Sequence, residues 1–227
     1  IDQYGNLHLQ INLNKQAFDK EGCKLIWEPK YDSYPNGKFI DDVIVSYYGA
    51  GTMSSVKEMG FGTYTLSAML PTGNWLWPAF WLYPPTTWPP EIDIFEGYSK
   101  DTDYKKMKWS LCGFRKKLKA WNIQSCIHVK SGIPTVPAKM PDLDNFNHPP
   151  QNIFNTYQLF WGRTVLIFSI NYKEVRRITD QKVLDHLAQY SPFMVLIQNQ
   201  IDGFGKDKFN YKETTPFVLQ NFTFKPL

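Results

Sequence analysis

Glu91, Asp93 and Glu96 place three carboxylates within the six residues EIDIFE, separated by Ile92, Ile94 and Phe95. In a regular strand the side chains alternate between faces, so Glu91 and Asp93 point the same way while Glu96 joins Ile92 and Ile94 on the other side. One extra residue between Asp93 and Glu96, a β-bulge, restores the parity and lines up all three acids. Bulges of this kind are over-represented beside active sites. Carboxyl groups held this way can divide the work of breaking a bond. Cleavage of a glycosidic bond with retention needs one ionised carboxylate as nucleophile and one protonated carboxyl as acid, roughly 5–5.5 Å apart. A third acid between them orients the nucleophile, and because crowded like charges cannot all ionise, one pKa must rise. That supplies a neutral acid at working pH. The plain alternative is a solvated strand face with a hydrophobic back, and the neighbouring residues weigh against it.

Trp75, Trp77, Trp81 and Trp88 all lie within the 16 residues upstream of Glu91. Sugar rings have apolar C–H faces that flat, rigid indoles can cover, while buried hydroxyls need fixed polar partners. Tyr98 and Trp109 add aromatic candidates beyond the acids. Alternation in WPAFWLY sends Ala79, Trp81 and Tyr83 to one face and Phe80 and Leu82 to the other, so at least one of the four tryptophans is expected to serve packing alone. From Lys105 to Lys119 the chain holds seven basic residues, Arg115 among them, and no acid. Such a surface could attract a sulfated polysaccharide, with Arg115 gripping a sulfate through two hydrogen bonds. The plain alternative, a solvated hairpin tip, is the reading such charge runs more often bear out.

The run from Gly51 into EIDIFE resembles glycoside hydrolase family 16, in particular its laminarinase and red-algal galactanase branch with the ExDxxE motif. The resemblance implies a curved β-jelly-roll sandwich and retaining endo-hydrolysis. It implies Glu91 as nucleophile, Asp93 as assisting acid and Glu96 as general acid/base. Weaker similarity extends through residues 155–177 and through FMVLIQNQIDGF, where Asn199 falls at a polar position expected to face the cleft. Two departures stand out. Laminarinase-like members commonly carry a Thr-Leu-His run near the cleft, and SLC puts Cys112 where the imidazole would be. The terminal strand usually offers an Asp to a structural calcium ion, whereas FVLQNFTF offers Gln220, a neutral amide and a poor substitute. No cofactor is therefore expected.

The elements that must position these residues are short strands. LHLQINL (7–13) alternates apolar and polar without a fault, and similar runs predict strands at 43–48, 62–70, 79–83, 91–98, 106–114, 156–162, 165–172, 193–201 and 217–224. Turn signals such as PNG, PTGN and DGFG separate them. One helix is predicted over 180–190, where Val183, Leu184 and Leu187 form an apolar stripe behind an acidic start. Many strands with little helix indicate an all-β protein, a two-sheet antiparallel sandwich of the concanavalin A-like jelly-roll kind. Residues 1–227 are expected to form a single catalytic domain, with the proline-rich stretch 128–151 as a long surface loop.

Aromatic residues make up 16% of the chain, more ring surface than a core needs. The formal charge of +4 and the single basic stretch do not make the aromatic-interleaved groove of a nucleic-acid binder. No apolar run is long enough for a spanning helix, and no membrane partner is expected. Cys23, Cys112 and Cys126 lack CxxC spacing, which argues against zinc and permits at most one internal disulfide. His8, His128, His148 and His186 are scattered and suggest no nucleophilic triad. Together these features predict a secreted, monomeric retaining endo-glycosidase acting on a polysaccharide, β-1,3-glucan first and an agar, porphyran or carrageenan-type galactan second. A sugar-binding module on the same sandwich is the alternative class.

Overall fold

The protein is described here from a computed structural model, which covers residues 1–34, 38–73, 75–99, 121–130, 153–201, 212 and 214–227. In chain order the strands are β1 (Leu7–Leu9), β2 (Asn12–Asp19), β3 (Lys24–Leu25), β4 (Phe39–Ile40), β5 (Val43–Gly49), β6 (Gly51–Ser54), β7 (Gly62–Met69) and β8 (Leu76–Tyr83). They continue with β9 (Glu91–Ser99), β10 (Trp121–His128), β11 (Asn155–Trp161), β12 (Leu166–Ile170), β13 (Lys173–Ile178), β14 (Met194–Ile201) and β15 (Phe217–Pro226). The helix α1 spans Gln181–Gln189, between β13 and β14.

A six-stranded sheet runs β1-β15-β7-β11-β12-β13, and a five-stranded sheet runs β10-β9-β8-β14-β6. All their pairings are antiparallel. Alternation decides what lies between the two sheets. From the first come Tyr64, Leu66 and Ala68 of β7, Tyr157, Leu159 and Trp161 of β11, and Leu166, Phe168 and Ile170 of β12. From the second come Phe80 and Leu82 of β8, Ile92, Ile94 and Phe95 of β9, and Val195 and Ile197 of β14. Each Leu, Ile, Val or Phe among them, fully buried, contributes about 1.5–3 kcal/mol of transfer free energy. This is the family-type jelly-roll sandwich that the strand pattern predicts.

The helix closes one flank. Asp180 caps it by accepting from the backbone N–H groups of Lys182 and Val183, and Val183, Leu184 and Leu187 go into the common core. Strands β2 and β5 leave the sandwich as a ribbon and form a separate four-stranded sheet, β3-β2-β5-β4, over a smaller cluster of Ala17, Tyr31 and Val45. At the root of that ribbon a Cβ on Gly51 would sit 2.8 Å from the backbone of Leu9. Only glycine allows β6 to approach β1 this closely.

The expected strands outside 106–114 all form, with β1 and β2 dividing the first run. Strands β3, β4, β6, β10 and β13 are additions. The expected strand at 106–114 lies outside the described residues, as do the basic stretch and most of the proline-rich loop.

Candidate active site

Strand β9 counts three steps from Asp93 to Glu96 where both of its neighbours count two. On one side Asp93 faces Trp81 and Glu96 faces Ala79, and on the other they face Cys126 and Gln124. The extra residue is absorbed at Ile94 and Phe95, which both turn into the core at 5% and 1% exposure. Because two successive residues turn inward, Glu96 returns to the face of Glu91 and Asp93. The bulge follows from composition: Ile92, Ile94 and Phe95 gain by burial, and the three acids lose by it.

On that face the acids are held by rings. Trp77 Nε1 donates to Glu96 Oε1 at 3.0 Å, and Trp88 Nε1 donates to Glu91 Oε2 at 2.7 Å. His128 Nε2 lies 3.6 Å from Glu91 Oε1 and 3.2 Å from Asp93 Oδ2. Its ring is 5.9 Å from that of Trp88. Asp93 is the buried member, at 1% exposure. Burial pushes its carboxyl well above the ordinary range, the charges of Glu96 and Glu91 push it further, and a hydrogen bond with Glu91 adds to this. Burial and the two flanking carboxylates thus favour the protonated form of the middle acid.

The neighbouring strands extend the surface. Trp81, opposite Asp93, stacks at 4.9 Å on Tyr83, and its buried indole N–H has no hydrogen-bond partner among the described residues. Gln198 and Gln200 of β14 lie opposite Ala79 and Trp77. Trp75 packs beside Ile11 and Leu76 in a satellite cluster, with φ at +67°. Asn199 is corrected. It shares the core-facing parity of Val195 and Ile197, is fully buried, and donates through Nδ2 to the carbonyl of Leu9 at 3.1 Å. Tyr98 continues β9 opposite Asn122. Trp109 and Arg115 lie outside the described residues.

His128 is a site residue that the sequence did not single out, since the resemblance puts Cys112 where an imidazole is common. The run Cys126-Ile127-His128 brings an imidazole to the acids, with Ile127 in the core and His128 opposite Glu91. The apolar-polar alternation of this segment was the available signal. Asp93, Cys126 and His128 also bring three potential metal donors within 4.8 Å of one another. Cys126 is disulfide-bonded, so it offers no thiolate and the trio does not suit a metal ion. Cys23 is free and exposed. Gln220 is engaged by Ser67, whose hydroxyl lies 2.9 Å from its Oε1.

The family model for glycosyl hydrolases family 16 matches residues 6–203. The chain belongs to this family. Among curated proteins, the endo-1,3-1,4-beta-glycanase EglC of Rhizobium meliloti (strain 1021) is 35% identical over 57 residues, 24% of this chain and 12% of that protein. Solved structures share the fold, two of them as follows. A laminarinase from Flavobacterium sp. UMI-01 superposes with a TM-score of 0.56 at 18% identity, covering 92% of this chain and 77% of that one. A chain from work on endo-acting O-glycanases, with which prominent members of the human gut microbiota initiate mucin breakdown, gives 0.65 at 17% identity. It covers all of this chain and 75% of its own. This family 16 member thus carries a jelly-roll scaffold.

Proposed function

We propose that the protein is a retaining endo-glycoside hydrolase that cleaves a neutral β-linked polysaccharide, with β-1,3-glucan as the preferred substrate. The observation that carries the reading is the bulge in β9, which brings Glu91, Asp93 and Glu96 to one face between two indole N–H donors. In the first step the Glu91 carboxylate attacks the anomeric carbon while Glu96 delivers its proton to the departing glycosidic oxygen, leaving a glycosyl ester on Glu91. In the second, Glu96 takes a proton from water, the water oxygen attacks the same carbon, and the ester bond breaks to return Glu91 as carboxylate. Two inversions give net retention. Asp93 shares its proton with Glu91 and so adjusts the nucleophile as its charge is consumed and restored.

Several features support a neutral polymer. Trp77, Trp81 and Tyr83 line up along β8, Gln198 and Gln200 follow on β14, and the described strand residues on this face include no Lys or Arg. The buried N–H of Trp81, which has no hydrogen-bond partner among the described residues, suits a sugar hydroxyl. The disulfide at Cys126 supports action outside the cell.

The test is reducing-end release from laminarin, mixed-linkage β-glucan, agarose, porphyran, carrageenans and mucin glycans, each beside Glu91→Gln. Cleavage of laminarin, lost by a factor on the order of 10⁴ or more in the variant, is expected, with proton NMR showing the β anomer as first product. Cleavage of a sulfated galactan instead would transfer the substrate assignment to the basic stretch at 105–119. Binding without any cleavage would return the protein to the class of sugar-binding modules.

A further inference from the structure

Arg176 is a buried guanidinium in a row of apolar side chains. It points inward from β13 at 6% exposure, beside Phe168 and Ile178, which are almost fully buried. An unpaired charge there would be costly, and Arg176 meets the cost by reaching the opposite sheet. Its Nη1 donates to the carbonyl of Ser125 at 2.8 Å, with the Ser125 hydroxyl oxygen 3.0 Å away. The guanidinium carbon stands 5.3 Å from the centre of the Phe168 ring. Ser125 is no arbitrary anchor. It is the β10 residue between Gln124, which faces Glu96, and Cys126, which faces Asp93, where the register shifts. The guanidinium therefore ends behind the bulge that gathers the acids.

We propose that Arg176 is a positioning residue for the acid cluster: it holds Ser125 in the register that maintains the bulge and supplies the positive charge behind Asp93. This rests on the reading of Glu91 and Glu96 as the catalytic pair. Among the described residues, the charged or titratable groups around Asp93 are Glu91 and Glu96 on its own strand, His128 from β10 and Arg176 from β13; β8 contributes the uncharged Trp81. Of these, Arg176 acts against the burial and the two glutamates, drawing the Asp93 carboxyl down, while Asp93 in turn offsets the fall of Arg176 to about 10 caused by burial.

The experiment compares Arg176→Met and Arg176→Lys with the wild type in three readouts: melting temperature, kcat and KM, and carboxyl ¹³C NMR titration of the acid cluster. In Arg176→Met the titration midpoint of Asp93 is expected to rise by at least about half a unit. There kcat should fall ten-fold or more, with KM changed less than two-fold. Arg176→Lys should restore the midpoint and part of the rate. A folded Arg176→Met protein that melts earlier but keeps its midpoint, and its kcat within two-fold, would overturn the proposal and leave Arg176 a packing residue. If the Met variant does not fold, Arg176→Lys decides: it keeps the charge without the guanidinium's reach, so full wild-type kcat counts against positioning. The titration needs no turnover. A protein silent on every polysaccharide but with a shifted midpoint therefore contradicts the catalytic reading and not this one.

Discussion

A carboxyl group buried between two others works against the folded state as soon as it must ionise. Asp93 is in this position, its pKa raised first by burial and then by Glu96 and Glu91. The native protein holds this proton above the pH at which an unfolded chain releases it. Between those two points the folded state binds more protons, so stability falls as pH rises through the window above the ordinary carboxyl range. Asp93→Asn, which removes the titration and keeps the shape, should therefore raise the melting temperature at pH 7–8 and change it little at pH 4. For a chain of this size each kcal/mol is about 2–4 °C. The same variant should lose activity on the order of 10²-fold, because the nucleophile loses its proton partner and its alignment. Calorimetry and initial rates at both pH values check it; equal melting shifts at the two pH values would contradict the charge argument. Parity made the bulge legible from six residues. It could have corrected Asn199 as well, since Val195, Ile197 and Asn199 share one face, but a polar residue invited a functional reading where a buried backbone carbonyl at Leu9 needed a donor.

Among the elements, the strands with clean alternation were legible and the edges were not. Strands β3 and β4 have two residues each, too short to show a period. Strand β10 does alternate apolar and polar residues, but its place beside the acids comes from pairing with β9, a long-range contact that local pattern does not encode, and so the nearness of His128 to Glu91 was not legible. The helix was legible to within a residue at each end because its signals are local: the Asp180 cap and the stripe of Val183, Leu184 and Leu187. Asp180→Ala removes the acceptor for two backbone N–H groups and should cost about 1 kcal/mol, a loss of about 2–4 °C. Since α1 lies far in sequence from the acids and contributes no residue to their face, kcat should stay within two-fold. A drop in kcat beyond that, with the melting shift as expected, would mean that the helix communicates with the site.

At the scale of the molecule, two sheets are joined by aromatic contacts, and one of these belongs to the bulge itself. Phe95 is 1% exposed and lies 4.4 Å from the Tyr157 ring of the facing sheet, with Phe217 at 6.0 Å and Phe80 at 6.3 Å. The inward turn of Phe95 is the same backbone event that turns Glu96 outward, so the cohesion of the sandwich and the geometry of the acids depend on one residue. Leu66 offers a control. It is fully buried in the same core but sits on β7 in the other sheet. Leu66→Ala should cost about 2–5 kcal/mol and Phe95→Ala about 3–5 kcal/mol, both visible as earlier denaturant midpoints. The two should part company in activity measured well below either transition. Leu66→Ala leaves the register of β9 untouched and should keep kcat within a few-fold, whereas Phe95→Ala removes the reason for the second inward residue and should lower kcat on the order of 10²-fold. Phe95→Leu, which refills much of the volume, should recover rate and stability together. If Phe95→Ala retained kcat at wild-type level once folded, the bulge would be maintained by backbone pairing with β8 and β10 alone, and the coupling between core and site would reside in Ser125 and its cross-sheet contact.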